Sequence, residues 1–495
     1  MTCKSLQGPA LNALYYELGC LACVFMCMPK SLWEITIEEP QIDGRGKQSH
    51  NKHSFCRVMR KSDWRILQKY LPRVRVLRSD TYSAHMIVDV GVLSAVSCYC
   101  GPSLLPNIQH LHLGDRHFPY FMYMLHDVVL FPRLLLGTRL TTLDLHGHES
   151  KTLPVLTIAA DTCPFLKSIH ISFCGRIKDE ILEIIEVIAY RLKKLESIYL
   201  DLKDDFTVSV PQILSVLASL SLLTDISLKW CIPTKSLRST SSTIPWAAIR
   251  LPALRNLHIQ AQPLQVIQVM KTLQDLTSLN RLSVMFNDVG ADTAVPEAIG
   301  IIAKTLITTS AAVRDIEILF PHSDNTGLLP FDALRPLFRF HNLTRFRVEE
   351  CPHPAWDDAM LEQLARSFPN LTHLNLLWNR SPYVDMGDVT DTNITLRGLA
   401  SLLLHCPKFQ MLALAVDVTS SEDLDDEDSD VSHVCHTPLT HWQVYNSVIE
   451  DDDDVDLAAR TLARIAPDIE SFVPLEIGQA WYLGQDAAVE DSIRQ

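Results

Sequence analysis

The sequence predicts an α/β solenoid, with short parallel strands lining one side and helices covering the other. Three observations carry that prediction. An apolar 1-4-6 pattern recurs along the chain, its positions 4 and 6 alternate with polar residues, and the stretches between occurrences switch to helical spacing.

The pattern runs through Ile108/Leu111/Leu113, Leu140/Leu143/Leu145, Leu166/Ile169/Ile171, Leu195/Ile198/Leu200, Leu223/Ile226/Leu228 and Leu254/Leu257/Ile259. It continues through Leu279/Leu282/Val284, Val313/Ile316/Ile318, Leu343/Phe346/Val348, Leu371/Leu374/Leu376, Phe409/Leu412/Leu414 and a weaker Leu439/Trp442/Val444. These twelve occurrences average about 30 residues apart. Alternation at positions 4 and 6 is the two-residue period of a strand with one buried face. Between them, Ile181, Ile184, Ile185, Ile188 and Leu192 fall at helical spacing after Asp179 and Glu180, where acids favour a helix start. Similar stripes occupy Ile213/Leu214/Leu217, Ile267/Met270/Leu273 and Leu361/Leu364/Phe368. A strand–turn–helix unit of this size cannot bury its apolar faces alone, so the units must stack. The expected result is a leucine-rich repeat horseshoe, with a concave parallel sheet and convex helices.

The repeat spacing is irregular, from 25 residues between Leu254 and Leu279 to 38 between Leu371 and Phe409. Polar stretches at Thr234–Thr243 and Ser381–Thr395 are read as loops leaving one edge. The organisation expected is a helical cap over 1–80, a solenoid over 81–475 with an acidic insertion at 417–430, and a tail over 476–495. Within the cap, one amphipathic helix is expected to carry Leu14, Leu18, Leu21 and Phe25. A second is expected to start at Ser62, and Arg73–Leu77 reads as a degenerate first strand.

Composition excludes several classes. Apolar residues make up 47% and charged residues 21%, which is globular rather than disordered. The net charge of −14 opposes a nucleic-acid binder held by a general basic surface. Between Asp417 and Asp456 stand 14 acids and no Lys or Arg, so the remainder of the chain balances at 44 acids against 44 bases. Glu422–Asp430 is expected as a solvated loop, and Glu450–Asp456 as a helix lead-in. No membrane-spanning run is present in the sequence. The 13 cysteines lack small-domain spacing, so an intracellular chain with reduced thiols is expected, in cytoplasm or nucleus.

The expected chemistry is recognition rather than catalysis. No phosphate loop, dinucleotide fingerprint, nucleophile elbow or zinc-protease motif is present. Cys20, Cys23 and Cys27 are read as one packed helix face. His433, Cys435, His436 and His441 lack zinc-site spacing, and Cys163, Cys351 and Cys406 mark the helix-to-strand turn before Pro. No cofactor or metal is expected. The candidate binding surface is the concave ladder between positions 4 and 6: His112, Asp144, His170, Tyr199, Ser227, His258, Ser283, Glu317, Arg347 and Asn375. His146, Lys229, Arg281, Arg345 and Glu349 flank it, and Trp230 and Trp378 are candidate anchors or rim plugs. A monomer binding a target protein, with no nucleic acid or membrane partner, is expected.

The N-terminal stretch adds a resemblance. Leu14, Tyr15, Leu18, Leu21, Pro29 and Trp33, followed by Asp63, Trp64, Tyr70, Arg73, Val74, Arg75 and Leu77, resemble the F-box/leucine-rich-repeat proteins of mushroom-forming fungi. The phrases CPFLKSIHI and FPNLTHLNL resemble that family's repeats. The resemblance implies a substrate receptor of an SKP–cullin–F-box ubiquitin ligase, binding its target on the concave face. In the family the F-box precedes the position of Leu6, where five residues stand here, so the adaptor-docking helices are expected to be absent from this sequence. The alternative expectation is a repeat scaffold or inhibitor independent of ubiquitin ligation.

Overall fold

The computed structural model describes residues 4–38, 50–78, 86–113, 132–147, 149–173, 180–203, 210–231, 248–287, 294–309, 312–320, 329–349, 356–377, 393–417, 438–444 and 471–474, with isolated positions between 459 and 469. It divides into two compact units, Met1–Leu251 and Pro252–Gln495.

In the first unit, parallel strands pair in the order β1 (Glu17–Leu18), β4 (Val76–Leu77), β6 (His110–Leu113), β7 (Thr142–Gly147), β8 (Ser168–Phe173), β9 (Ser197–Lys203) and β10 (Asp225–Cys231). The register matches the sequence pattern: Leu111, Leu143, Ile169, Ile198 and Ile226 form one rung of position 4. Helices α5 (Pro132–Leu135), α6 (Glu149–Thr162), α7 (Glu180–Arg191) and α8 (Val210–Leu217) connect the strands, and each packs on the next. Ile181, Ile184, Ile185 and Ile188 on α7 are all fully buried. Each such side chain contributes about 1.5–3 kcal/mol. Short β11 (Ile249–Arg250) ends the unit.

The second unit repeats the plan, in the order β12 (Asn256–Ala261), β14 (Arg281–Phe286), β15 (Asp315–Leu319), β16 (Arg345–Glu349), β17 (His373–Leu377), β18 (Met411–Ala413), β19 (His441–Val444) and β20 (Ser471–Pro474), all parallel. The two-residue β13 (Leu273–Gln274) lies between β12 and β14 in sequence. Helices α9 (Pro263–Thr272), α10 (Ala294–Thr309), α11 (Asp358–Ser367) and α12 (Leu396–His405) cover this stack. Between β15 and β16 the cover is two 3-10 turns, Phe331–Ala333 and Arg335–Arg339, and Pro336 lacks the N–H that a continuous α-helix over 331–339 would need there. The α/β leucine-rich repeat fold read from the sequence is therefore present, and it extends beyond the twelve occurrences. Leu18 pairs with Leu77, Leu77 with Leu111, and Phe472 with Trp442, all at position 4.

Threonine reinforces the stack at position 2. Thr141 and Thr224 in the first unit donate their hydroxyls to Gln109 and Glu196 carbonyls, both at 3.1 Å. Thr344, Thr372 and Thr440 do the same in the second, to Arg314, Thr344 and Gln410 at 3.1, 2.8 and 3.3 Å. Each of these carbonyls also accepts a backbone N–H from the following repeat.

The N-terminal region corrects the expectation of a helical cap. Helix α1 (Lys4–Leu14) stops before β1, and α2 holds only Leu21–Phe25, so no single helix carries Leu14 through Phe25. Strand β2 (Trp33–Glu38) pairs antiparallel with β3 (His50–Phe55), and β5 (Met86–Val88) adds to β3 in parallel. Trp33 explains why this small sheet holds, packing on Phe55 with ring centroids 4.9 Å apart and on Phe25 at 6.2 Å. Helix α3 (Lys61–Leu67) takes Arg60 as its N-cap, not Ser62. Asp63 accepts from the Arg60 N–H at 2.9 Å and pairs with Arg57 at 2.8 Å. Helix α4 (Val90–Ser97) follows β5. The loops at 234–243 and 381–392 and both acidic runs lie outside the described residues. No helix among the described residues is long and apolar enough to cross a membrane.

One close approach gives a test of the second unit's helical layer. Asp358 on α11 accepts from the Thr395 N–H (2.8 Å) and hydroxyl (2.6 Å) at the start of α12. A Cβ at Gly398 would lie 2.8 Å from Asp358 Cγ and 3.2 Å from its Cα. Gly398→Ala should therefore cost about 1–3 kcal/mol, despite the better helix propensity of Ala, read as a lower urea midpoint at constant slope.

Candidate recognition faces of the two repeat units

Side chains at positions 4 and 6 face the helices, so those between them stand on the helix-free face of each sheet. In the first unit, His112, Asp144, His170, Tyr199 and Ser227 lie in one rung, each beside the next. His112 Nδ1 lies 3.3 Å from Asp144 Oδ2, and His170 Nδ1 lies 4.0 Å from Asp144 Oδ1. Two residues further along the strands, His146, Ser172, Asp201 and Lys229 form a second rung. The rings of His112 and His146 stack with centroids 4.8 Å apart, His146 meets His170 edge-on at 5.0 Å, and His170 lies 3.7 Å from Tyr199. The Ser172 hydroxyl donates to Asp201 at 3.4 Å. The two rungs are thus a continuous imidazole–phenol array with carboxylates beside it, in which His146, His170, Ser172 and Asp201 are buried and His112, Asp144 and Tyr199 are half-buried.

In the second unit, His258, Ser283, Glu317, Arg347 and Asn375 form the corresponding rung. Here charge replaces aromatic stacking. Glu317, 4% exposed, accepts from Arg347 at 2.7 Å and from Arg281 at 3.3 Å. Arg281 also reaches Asp315 at 3.5 Å, while Arg347 reaches Glu349 at 2.6 Å, and Glu349 accepts from Asn375 at 2.7 Å. Burial opposes ionisation of Glu317, but Arg347, the Ser283 hydroxyl, Arg281 and His258 outweigh it and hold the carboxyl below its usual range. Burial prevails at Glu349 and Asp315, and their carboxyls are pushed up. Glu317 is thus the clamped centre of the network, and Arg281 and Arg347 each bridge it to an outer acid, Asp315 and Glu349.

His258 Nδ1 and Ser283 Oγ lie 2.9 Å apart, and Ser283 also bonds to Glu317. The hydroxyl therefore stands between imidazole and carboxylate. In a Ser-His-Asp triad the imidazole stands in the middle, so this order does not relay a proton from a nucleophile. Ser283 is also 4% exposed.

The structure brings together every ladder residue anticipated within each unit, and corrects one of the two candidate anchors. Trp230 lies inside β10, 4% exposed, in register with Leu202, which itself pairs with Phe173. It stands two residues past position 6, and the strand's alternation turns it into the core. Trp230 is a packing residue and presents no ring to a partner. Trp378 lies outside the described residues, as do Cys351, His433, Cys435 and His436. The Ser172/Asp201 pair and Asp315 were missed, although stepping two residues either way from the ladder position would have found them. Cys163 and Cys406 are buried at helix-to-strand turns, and burial pushes both thiols up, Cys406 to about 12. Cys20, Cys23 and Cys27 do not share a helix face, because α2 holds only Cys23. The thiols of Cys20 and Cys23 lie 3.3 Å apart, and the Tyr15 hydroxyl lies 2.8 Å from Cys27 Sγ.

The strand starts set a pH dependence. Burial holds His110 below the ordinary imidazole value, against the pull of Asp144, and burial with Arg345 does the same at His373. Both groups bind protons more weakly folded than unfolded. Their stabilising contribution is full above the unfolded value of about 6.5 and declines as pH falls towards the folded values. Urea midpoints of the His110→Gln, His373→Gln variant should therefore depend less on pH between 7 and 5 than those of the parent.

No protein-family model matches the chain, and no curated protein matches it either. Among solved structures, it is similar to a chain of the yeast Rad7–Elc1 complex, at 14% identity and a TM-score of 0.39, covering 69% of this chain and 77% of that one. It is also similar to the leucine-rich repeat-containing protein LegL7 from Legionella pneumophila, at 14% identity and a TM-score of 0.33, covering 72% of this chain and 99% of that one.

Proposed function

We propose that this chain is a protein-recognition module that holds a partner on the helix-free faces of its repeat units. The observation that carries the reading is the pair of rungs His112–Asp144–His170–Tyr199–Ser227 and His258–Ser283–Glu317–Arg347–Asn375. Apart from Ser227, their side chains are held by one another or by neighbouring groups, so little rotamer freedom is lost when a partner binds. The first face offers the half-buried Asp144 and Asp225 beside aromatic rings, which suits basic and planar side chains. The second offers Arg281, Arg345 and Arg347 beside acids, which suits a partner of mixed charge.

The finer reading rests on the resemblance of the N-terminal stretch to F-box/leucine-rich-repeat proteins. On that reading the bound partner is a target presented for ubiquitin transfer, and this chain contributes positioning rather than chemistry. The alternative is a scaffold or inhibitor that uses the same faces without a ligase.

Partners captured by the full chain and identified by cross-linking provide the test. His112→Ala, Tyr199→Ala and Asn375→Ala should together weaken capture by about tenfold or more, with thermal stability retained. Unchanged capture would remove the recognition faces from consideration. Co-purification of a ligase adaptor, with ubiquitin on the captured partner, supports the receptor reading. Capture without either leaves the scaffold.

A further inference from the structure

The repeats serve as controls for one another, and one row departs from the rest. The residue before position 1 of each repeat lies at the helix-to-strand turn, on the rim of the stack. In the first unit this row includes Asn107 and Arg139, and in the second Ser278, Ala312, Asn342, Asn370 and Lys408. These side chains are small, polar or charged, as a solvated rim requires. Phe165 and Leu222 occupy the same row and are 55% and 49% exposed, with the exposed Lys194 between them. Tyr190, at the end of α7, is 68% exposed. Neighbouring rungs of a sheet stand about 4.8 Å apart, so Phe165, Lys194 and Leu222 form one continuous strip.

The cations of the strip divide into two kinds. Arg191 is paired with Asp161, and Lys167 with Glu196 at 2.8 Å. Lys193 and Lys194 instead hold their ammonium groups over rings, 5.5 Å from the Tyr190 centroid and 5.2 Å from the Phe165 centroid. A cation over an exposed ring gains about 0.5–1 kcal/mol, which a carboxylate donated by a partner can exceed once the site is covered.

We propose that this rim is a second docking surface, and that its occupant is an acidic peptide segment of a partner carrying interspersed apolar side chains. Such a segment supplies carboxylates to Lys193 and Lys194 and covers Phe165, Tyr190 and Leu222. A nucleic-acid backbone fits less well, because Asp161 and Glu196 already neutralise two of the cations and the exposed Phe165 and Leu222 interrupt the row of Arg139 and Lys194. The surface is distinct from the helix-free faces, and the inference does not rest on their role.

The test presents the full chain to an array of short peptides that alternate Asp or Glu with Leu or Phe. Control arrays replace the acids by Lys or Arg, or the apolar residues by Ser, and a single-stranded oligonucleotide forms a separate arm. Retention is expected on the acidic–apolar peptides. It should fall about fivefold or more in the Phe165→Ser, Leu222→Ser variant at unchanged Tm, and Lys193→Glu with Lys194→Glu should move the preference towards the basic peptides. Tyr199→Ala and Asn375→Ala should leave this binding intact. Equal retention on all arrays, tighter binding of the oligonucleotide, insensitivity to the rim substitutions, or loss on the Tyr199 and Asn375 substitutions would each overturn the proposal.

Discussion

Every other feature of this protein depends on the parallel, in-register pairing of one repeat with the next. A repeat exposes two apolar faces and a row of backbone groups, and only a neighbour in the same register satisfies both. Position 4 aligns with position 4 from Leu111 to Ile226 in the first unit and from Leu257 to Phe472 in the second. A slip of one residue would turn Leu143 and Leu145 outward and bring Asp144 into the core, at a cost no compensating contact offsets. The threonines of position 2 strengthen the same register from the side chain.

The alternation that buries the core also builds the polar, helix-free face. Asp144 stands between two buried leucines and Glu317 between two buried isoleucines, so the backbone fixes where each polar group emerges. What happens among those groups depends on the neighbouring strands. In the first unit rings face rings, and the surface is held by stacking and a shared carboxylate. In the second, arginine falls beside glutamate, and the surface is held by ion pairs around Glu317. The same scaffold thus carries two chemically different faces, set by a few substitutions at one parity of the strand.

The strand positions and the ladder were legible in the sequence because a two-residue period is a local signal. Trp230 was misplaced for want of applying the same period two residues further. Residues 1–80 were harder. Strand β1 is only Glu17–Leu18, too short to show alternation, and the hairpin of β2 and β3 is separated by an interval of eleven residues. The alternation Trp33, Ile35, Ile37 was present, but Ile35 and Ile37 stay largely exposed, so their pattern says little about a core. The clamp on Glu317 was beyond sequence reading, because it needs Arg281 and Arg347 from strands on both sides.

The uneven spacing of the repeats has a consequence for how such a surface can change. Leu254 to Leu279 spans 25 residues and Leu371 to Phe409 spans 38, yet the strands that follow both intervals join their neighbours in the same register. The sheet behaves as a ruler whose marks do not depend on how much chain runs between them. Insertions and deletions on the connecting side can accumulate without moving a single ladder group, so the helix-free face and the loops are free to diverge at different speeds.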